Sequence, residues 1–186
     1  EGRLVILTAG RLQKRKGHDV MLRAVAGLKE RHPQLYYIIV GDGEERKSLE
    51  QMISAMDLSD HVHLAGEVDE EGLRNYYLWS DLFVLPNRTI GKDVEGFGMV
   101  LLEAQACSKP VIAGDSGGTA ETLLDGKTGI VVDCTEPQAL IRAIDRLVNL
   151  PEKRLVMGAA ARNWVQSHFD WENSARRLAK AISVRN

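Results

Sequence analysis

At 186 residues the chain has the length of one large domain, long enough to bury roughly 70% of its unfolded surface. Lys and Arg number 24 against 26 Asp and Glu, a formal charge of −2, which excludes the basic excess of a nucleic-acid binder. With 44% hydrophobic and 27% charged residues it is neither disordered nor collagen-like, and no apolar run approaches the roughly 20 residues that cross a bilayer. Cys107 and Cys134 are too few for a disulfide scaffold and form no CxxC pair, which points to a reducing cytoplasm.

In chain order, Glu1-Gly2-Arg3 leads straight into Leu4-Val5-Ile6-Leu7 with no signal peptide or initiator Met, so the sequence is expected to belong to a longer protein. Short apolar runs at residues 4–8, 35–40, 62–65, 82–85, 111–113 and 129–132 read as six strands. Helical spacing lies between them, as at Val20, Leu22, Val25 and Leu28, and again at Leu140, Ile144, Leu147 and Val148. Strand alternating with helix predicts a doubly wound, Rossmann-like α/β domain with helices on both faces of a parallel sheet. Beyond it, helices are expected at 137–150, 152 to about 168 and 171 to about 183, with Phe169-Asp170-Trp171 as a corner. Ligands of open α/β sheets sit beyond the carboxyl ends of the strands, so the loops after the first, fourth and fifth strands are the candidate region.

Several motifs fail. Gly41-Asp42-Gly43 follows a strand and opens a helix, but Arg46 replaces the third glycine of a dinucleotide fingerprint and the first strand lacks it, which argues against an NAD site. Gly126-Lys127-Thr128 imitates the end of a P-loop, yet Glu121 stands at the earlier glycine position. His18, His32, His61, His63 and His168 show no metal-ligand spacing, and Asp93-Val94-Glu95 reads as solvated, so no metal site is expected. Asn87-Arg88-Thr89 matches a glycosylation sequon by pattern.

Three loops remain. Gly10-Arg11-Leu12-Gln13-Lys14-Arg15-Lys16-Gly17 places four cations between glycines, either to hold an anion or as a solvated basic turn, with Arg11 and Lys16 nearest the strand end and helix start. Residues 86–97 form a long connection that carries Glu95-Gly96-Phe97-Gly98; the glycines allow backbone N–H groups close to a ligand, and the helix starting there offers more. From Phe97 to Cys107 the only charge is Glu103, so that helix is expected to be nearly buried all round, with Glu103 paired either to ligand hydroxyls or to donors inside the protein. In the loop 114–119, Ser116 or Thr119 could cap a short helix carrying Glu121, whose carboxylate either serves the helix dipole or a ligand.

As a set, Gly10-Arg11-Leu12 with Lys16-Gly17, Glu95-Gly96-Phe97-Gly98 with Glu103, Pro110-Val111, Gly117-Gly118 with Glu121, and Asp125-Gly126 with Gly129 resemble the retaining GT-B glycosyltransferases, which include glycogen synthases, sucrose synthases and bacterial α-mannosyltransferases. Glu95 and Glu103, with seven residues between them, match the family's E-x(7)-E motif. The resemblance implies that residues 1–186 are the C-terminal, nucleotide-sugar-binding domain of a two-domain enzyme whose N-terminal acceptor domain is absent from the chain. Arg11 and Lys16 would grip the donor diphosphate and, with Glu95, form the catalytic set. Glu103 would bind the ribose hydroxyls. Glu95 and the backbone of Gly96, Phe97, Gly98, Met99 and Val100 would face the donor sugar and phosphate, Gly10 would join the nucleotide-binding set, and the Gly41 to Glu44 loop, with Asp42 and Gly43, and the segment after Leu64 would lie near the base.

The resemblance further implies transfer of a sugar from a UDP or GDP sugar with retention, without a bound metal or other cofactor, to a glycan, lipid or small-molecule acceptor. Peripheral membrane contact is expected only through the absent domain, nucleic acid is not expected as a partner, and the location is expected to be cytoplasmic. Ser108 departs from the family's usual glycine, and a left-handed conformation there would cost roughly 1 kcal/mol. The alternative reading is a non-catalytic sugar-nucleotide or polyanion-binding module of the same fold. Arg11, Lys16, Glu95 and Glu103 together favour the enzyme.

Overall fold

Hydrophobic residues at successive positions of a strand require burial on both faces. The computed structural model describes residues 2–170 and, beyond them, Glu172, Ala175, Arg176, Ala179, Lys180 and Ile182. In it β1 (Leu4–Ala9) sends Leu4 and Ile6 into one core and Leu7 and Ala9 into another. With β2 (Leu35–Val40), β3 (Val62–Gly66), β4 (Leu82–Leu85), β5 (Val111–Gly114) and β6 (Gly129–Val132) it forms a wholly parallel sheet of order β3-β2-β1-β4-β5-β6. All six expected strands are present, with ends that differ by no more than one residue.

The helices divide between the two faces. α1 (His18–Leu28), α2 (Arg46–Ala55) and α5 (Pro137–Val148) enclose the first core through Leu22, Val25, Leu49, Ile144 and Leu147, while α3 (Glu70–Trp79) and α4 (Met99–Ala106) enclose the second through Tyr77, Leu101 and Ala104. α6 (Pro151–His168) lies along α4. Local chemistry sets the helix starts. Asp69 caps α3 by accepting from the Gly72 N–H at 2.8 Å, and Pro137 and Pro151 open α5 and α6, where a missing N–H loses nothing. Ser108 takes the left-handed conformation expected of it, with φ 59°. The expected helix from 171 to about 183 falls largely outside the described residues.

One expectation fails on α4. Leu101, Leu102, Ala104 and Gln105 are buried, but Met99 is 59% exposed and Glu103 is exposed as well. An apolar helix has two ways to use its apolar faces, against a core or along a ligand cleft, and periodicity does not separate them. Here one side of α4 lines an open cleft.

The chain leaves β1 toward β2 on one side, and β4 lies on the other, so the crevice at their carboxyl ends is the topological switch point. A buried hydrogen-bonded chain holds it from below: the Tyr37 hydroxyl donates to Thr8 Oγ1 at 3.0 Å, and Thr8 Oγ1 donates to the Val84 carbonyl. His18, at the first turn of α1, sits 3.5 Å from the Tyr37 hydroxyl through Nδ1, while its buried Nε2 has no hydrogen-bond partner among the described residues. Burial drives the His18 pKa down to about 4; Lys16 adds to the fall, and the Arg11 backbone and Asp19 oppose it without restoring it.

The sign of the resulting pH dependence follows from linkage. Between about pH 4 and 6.5 the unfolded chain holds a proton on His18 that the folded chain does not, so this group makes stability rise with pH across that window and level off above it. Denaturant unfolding at stepped pH should show a loss of about 3 kcal/mol from this source on acidification from 6.5 to 4. His18→Leu should flatten that part of the profile, and an unchanged slope in the variant would assign the effect to other groups.

Candidate functional site

The loop after β1 turns through a 3-10 helix, Lys14–Lys16, and this turn separates the four cations. Lys14 and Arg11 point outward and are exposed; Arg11 makes no side-chain hydrogen bond or ion pair among the described residues. Lys16 turns inward, 8% exposed, with its Nζ 2.7 Å from Glu95 Oε2. Arg15 reaches the same oxygen through NH1 at 2.6 Å and holds Asp93 through Nε at 3.1 Å. Two cations therefore converge on one nearly buried carboxylate; with Asp93 counted the charges of this cluster balance, and the positive excess of the loop lies on the exposed Arg11 and Lys14.

That convergence joins two loops, and further bonds fix them. The Arg88 N–H donates to the Arg15 carbonyl at 2.8 Å, and the Arg88 guanidinium pairs with Asp19 in bidentate fashion at 2.8 and 2.9 Å. Burial pushes the Asp19 pKa upward, but the Arg88 hydrogen bonds and charge outweigh it and hold Asp19 below the usual carboxylate range. Asn87 is fully buried, donating to the Ser116 carbonyl at 3.1 Å and accepting from the Gly114 N–H at 3.1 Å, so in the folded protein the sequon pattern is out of reach of any modifying enzyme.

The glycine loops pack backbone on backbone. Gly117, at φ 64°, lies so close beneath the Glu95 carbonyl that a Cβ would stand 1.6 Å from that oxygen, and the Gly118 N–H donates to the Gly96 carbonyl at 3.0 Å. Gly41 approaches Gly10 in the same way, at φ 127° with a Cβ 2.2 Å from the Gly10 carbonyl oxygen. Asp42 closes the second loop, accepting from the Gly43 N–H at 2.7 Å and from Arg46 at 3.3 Å. Gly98, at φ 81°, is the N-cap of α4, whose first N–H groups lie beyond the intrahelical ladder.

Between these loops runs a cleft of about 380 Å³ lined by Gly10, Gly41, Glu67, Val68, Val100 and Glu103 among others. Lys16 flanks it, its Nζ 3.7 Å from where a Gly10 Cβ would be. The structure thus brings Gly10, Lys16, Gly41, Val100 and Glu103 to one crevice, and the segment after Leu64 joins through Glu67 and Val68. Asp42 and Gly43 shape its rim. Gly96 and Met99 are exposed beside it, whereas Phe97 turns away to pack 6.0 Å from the Phe169 ring. Glu121 is exposed on the 3-10 helix Thr119–Thr122.

Glu103 corrects the expectation of a buried carboxylate. It is exposed, and its Oε2 accepts from the Tyr77 hydroxyl at 2.7 Å. Of its two expected partner types, an internal donor is therefore present, and Glu103 also lines the cleft. Sequence reasoning passed over Arg15 and Tyr77. Arg15 stood among equivalent cations, and both partners of interest are remote, 80 residues from Arg15 to Glu95 and 26 from Tyr77 to Glu103.

Among the described residues no three His, Cys, Asp or Glu side chains gather as a metal-binding group, and no helix is long and apolar enough to cross a membrane.

Known proteins resemble this chain in sequence and fold. The GDP-mannose-dependent alpha-(1-6)-phosphatidylinositol monomannoside mannosyltransferase of Mycolicibacterium smegmatis is 40% identical over 185 residues, covering 98% of this chain and 48% of that protein. The D-inositol 3-phosphate glycosyltransferase of Streptomyces griseus is 36% identical over 190 residues, covering 97% and 39%. Among solved structures, Anabaena Alr3699/HepE in complex with UDP superposes with a TM-score of 0.86 at 27% identity, over 98% of this chain and 49% of that one. The chain spans less than half the length of these relatives. The family model for glycosyl transferases group 1 matches residues 1–164, a span that contains every strand of the sheet and both walls of the cleft, and the chain belongs to that family.

Proposed function

We propose that the chain is the C-terminal, donor-binding half of a retaining glycosyltransferase, which holds a nucleoside-diphosphate sugar while an N-terminal domain supplies the acceptor. The observation that carries this reading is the convergence of Lys16 and Arg15 on Glu95 beside a switch-point cleft whose opposite wall bears Glu103. In the reaction the acceptor's hydroxyl oxygen bonds to the sugar's anomeric carbon while the bond from that carbon to the diphosphate breaks with its electron pair passing to the phosphate oxygen, and the acceptor's proton goes to the departing diphosphate. Negative charge grows on the departing diphosphate, where Lys16, the exposed Arg11 and the first N–H groups of α4 stabilise it without reorganising. Glu95, pinned by its two cations, faces the donor sugar, and Glu103 accepts from the ribose. In this reading the cations carry the charge stabilisation and no metal takes part.

The 40% identity to a GDP-mannose-dependent enzyme favours a GDP sugar as donor, and the UDP complex of the Anabaena protein makes UDP the principal competitor. A calorimetric panel of GDP, UDP and ADP with this chain should find GDP tightest, with affinity unchanged by a chelator. Tightest binding of UDP would reassign the donor, loss with chelator would remove the metal-free mechanism, and no binding of any of them would end the donor-domain reading.

Arg11→Ala and Lys16→Ala should each weaken diphosphate binding by about 1.5 to 3 kcal/mol, the scale of a hydrogen bond to a charged group, and leave guanosine binding nearly unchanged. Equal losses for guanosine and GDP would show that neither residue grips phosphate.

A further inference from the structure

We infer that Tyr77 is a positioning residue for ribose recognition: its hydroxyl holds one oxygen of Glu103 so that the other is presented to the cleft. The inference deepens the donor-binding reading and rests on it.

Glu103 stands on an exposed position of α4, where a glutamate has three rotatable side-chain bonds and nothing in its own helix to choose among them. Water alone would satisfy such a carboxylate. Instead a phenol from the neighbouring helix α3 reaches it from inside the protein. Tyr77 is only 3% exposed, its ring lies 5.6 Å from that of Phe83 within the second core, and its hydroxyl is 2.7 Å from Glu103 Oε2. A side chain anchored in a core is a rigid donor, and a rigid donor on one oxygen fixes the plane of the whole carboxylate. Oε1 accepts no hydrogen bond from the described residues, and Glu103 lines the cleft beside Gly10, Gly41 and Val100.

The phenol is also suited to donate to the carboxylate. Burial and the adjacent Glu103 charge push its pKa above the usual value, so it keeps its proton at any pH at which the protein works. With Tyr77 donating, Oε1 retains its lone pairs for the sugar hydroxyls, and the rotamer freedom that ribose would otherwise have to freeze is already removed. Tyr77 touches no substrate in this arrangement. It acts through Glu103.

Calorimetry with GDP and its 2′-deoxy and 3′-deoxy forms tests the inference on the wild-type chain, Tyr77→Phe and Glu103→Gln, with melting temperatures measured alongside. The wild type should favour GDP over at least one deoxy form by fivefold or more. In Tyr77→Phe that preference should fall below twofold, while affinity for the same deoxy form stays within twofold of wild type. A merely structural tyrosine would lower the melting temperature and leave the preference intact, and that result overturns the inference. Glu103→Gln decides independently if Tyr77→Phe does not fold. With Tyr77 as orienting donor, the amide oxygen is held by the phenol and the amide nitrogen faces the ribose, where a neutral N–H to the hydroxyl oxygen replaces the bond to a carboxylate, so the preference should fall to about twofold or less. An unheld glutamine would turn its oxygen to the ribose and keep most of the preference, which contradicts a positioning tyrosine. Absence of any ribose preference in the wild type would instead remove Glu103 from the donor site, a failure of the underlying reading that is separate from a failure of Tyr77.

Discussion

Glu95 is nearly buried and carries a charge, and a carboxylate taken out of water survives as an ion only with partners close at hand. Arg15 and Lys16 supply them, and both lie on a loop that is distant in sequence and adjacent in space only because β1 and β4 are neighbours in the sheet. Removing either cation would leave the other bearing the whole compensation. The position of residues 86–97, and with it the backbone that carries Gly96 and Gly98, depends on this triad and on the Arg88–Asp19 pair that secures the same loop to α1. Such a cluster adds little net stability compared with a well-packed apolar substitute, because desolvation offsets much of the attraction. What it does supply is geometry: it fixes where Lys16, Arg15 and Glu95 stand relative to the crevice.

The sheet order explains why these charges serve a cleft instead of forming a surface network. At a switch point the flanking crossovers diverge and leave a gap that side chains do not fill. Lys16 and Glu95 border the gap on the side of β4, Gly41 and the segment after Leu64 border it on the side of β2, and α4 runs along it. Val100, which would be core on another helix, lines that wall, and Met99 stands exposed beside it.

Much of the fold was legible in the sequence because strands buried on both faces are unbroken apolar runs, and little else in a soluble protein has that form. The glycine loops and the two glutamates were legible for the same kind of reason, as residue types with narrow uses in a fixed order. Arg15 was not, since four neighbouring cations look alike until a 3-10 turn sends two outward and two toward Glu95. The exposure of Glu103 was not, since an apolar helix gives no sign of which face meets a core and which meets a crevice. Tyr77 carried no sequence signal, and its ring is core; the function of its hydroxyl exists only once α3 and α4 lie side by side. Asn87 shows the opposite limit, a surface-modification pattern on a residue that the fold has used to bind two loops together.

The contact of Phe97 with Phe169 bears on how far this domain can be trimmed. Phe169 follows α6 directly and its ring also meets Trp164 at 5.9 Å, so the aromatic residue of the Glu95-Gly96-Phe97-Gly98 stretch rests on a side chain more than seventy positions further along the chain. A shortened version ending at His168 would retain every strand and every helix through α6, and would still lack the ring that supports Phe97. The support of that loop therefore lies past the end of α6.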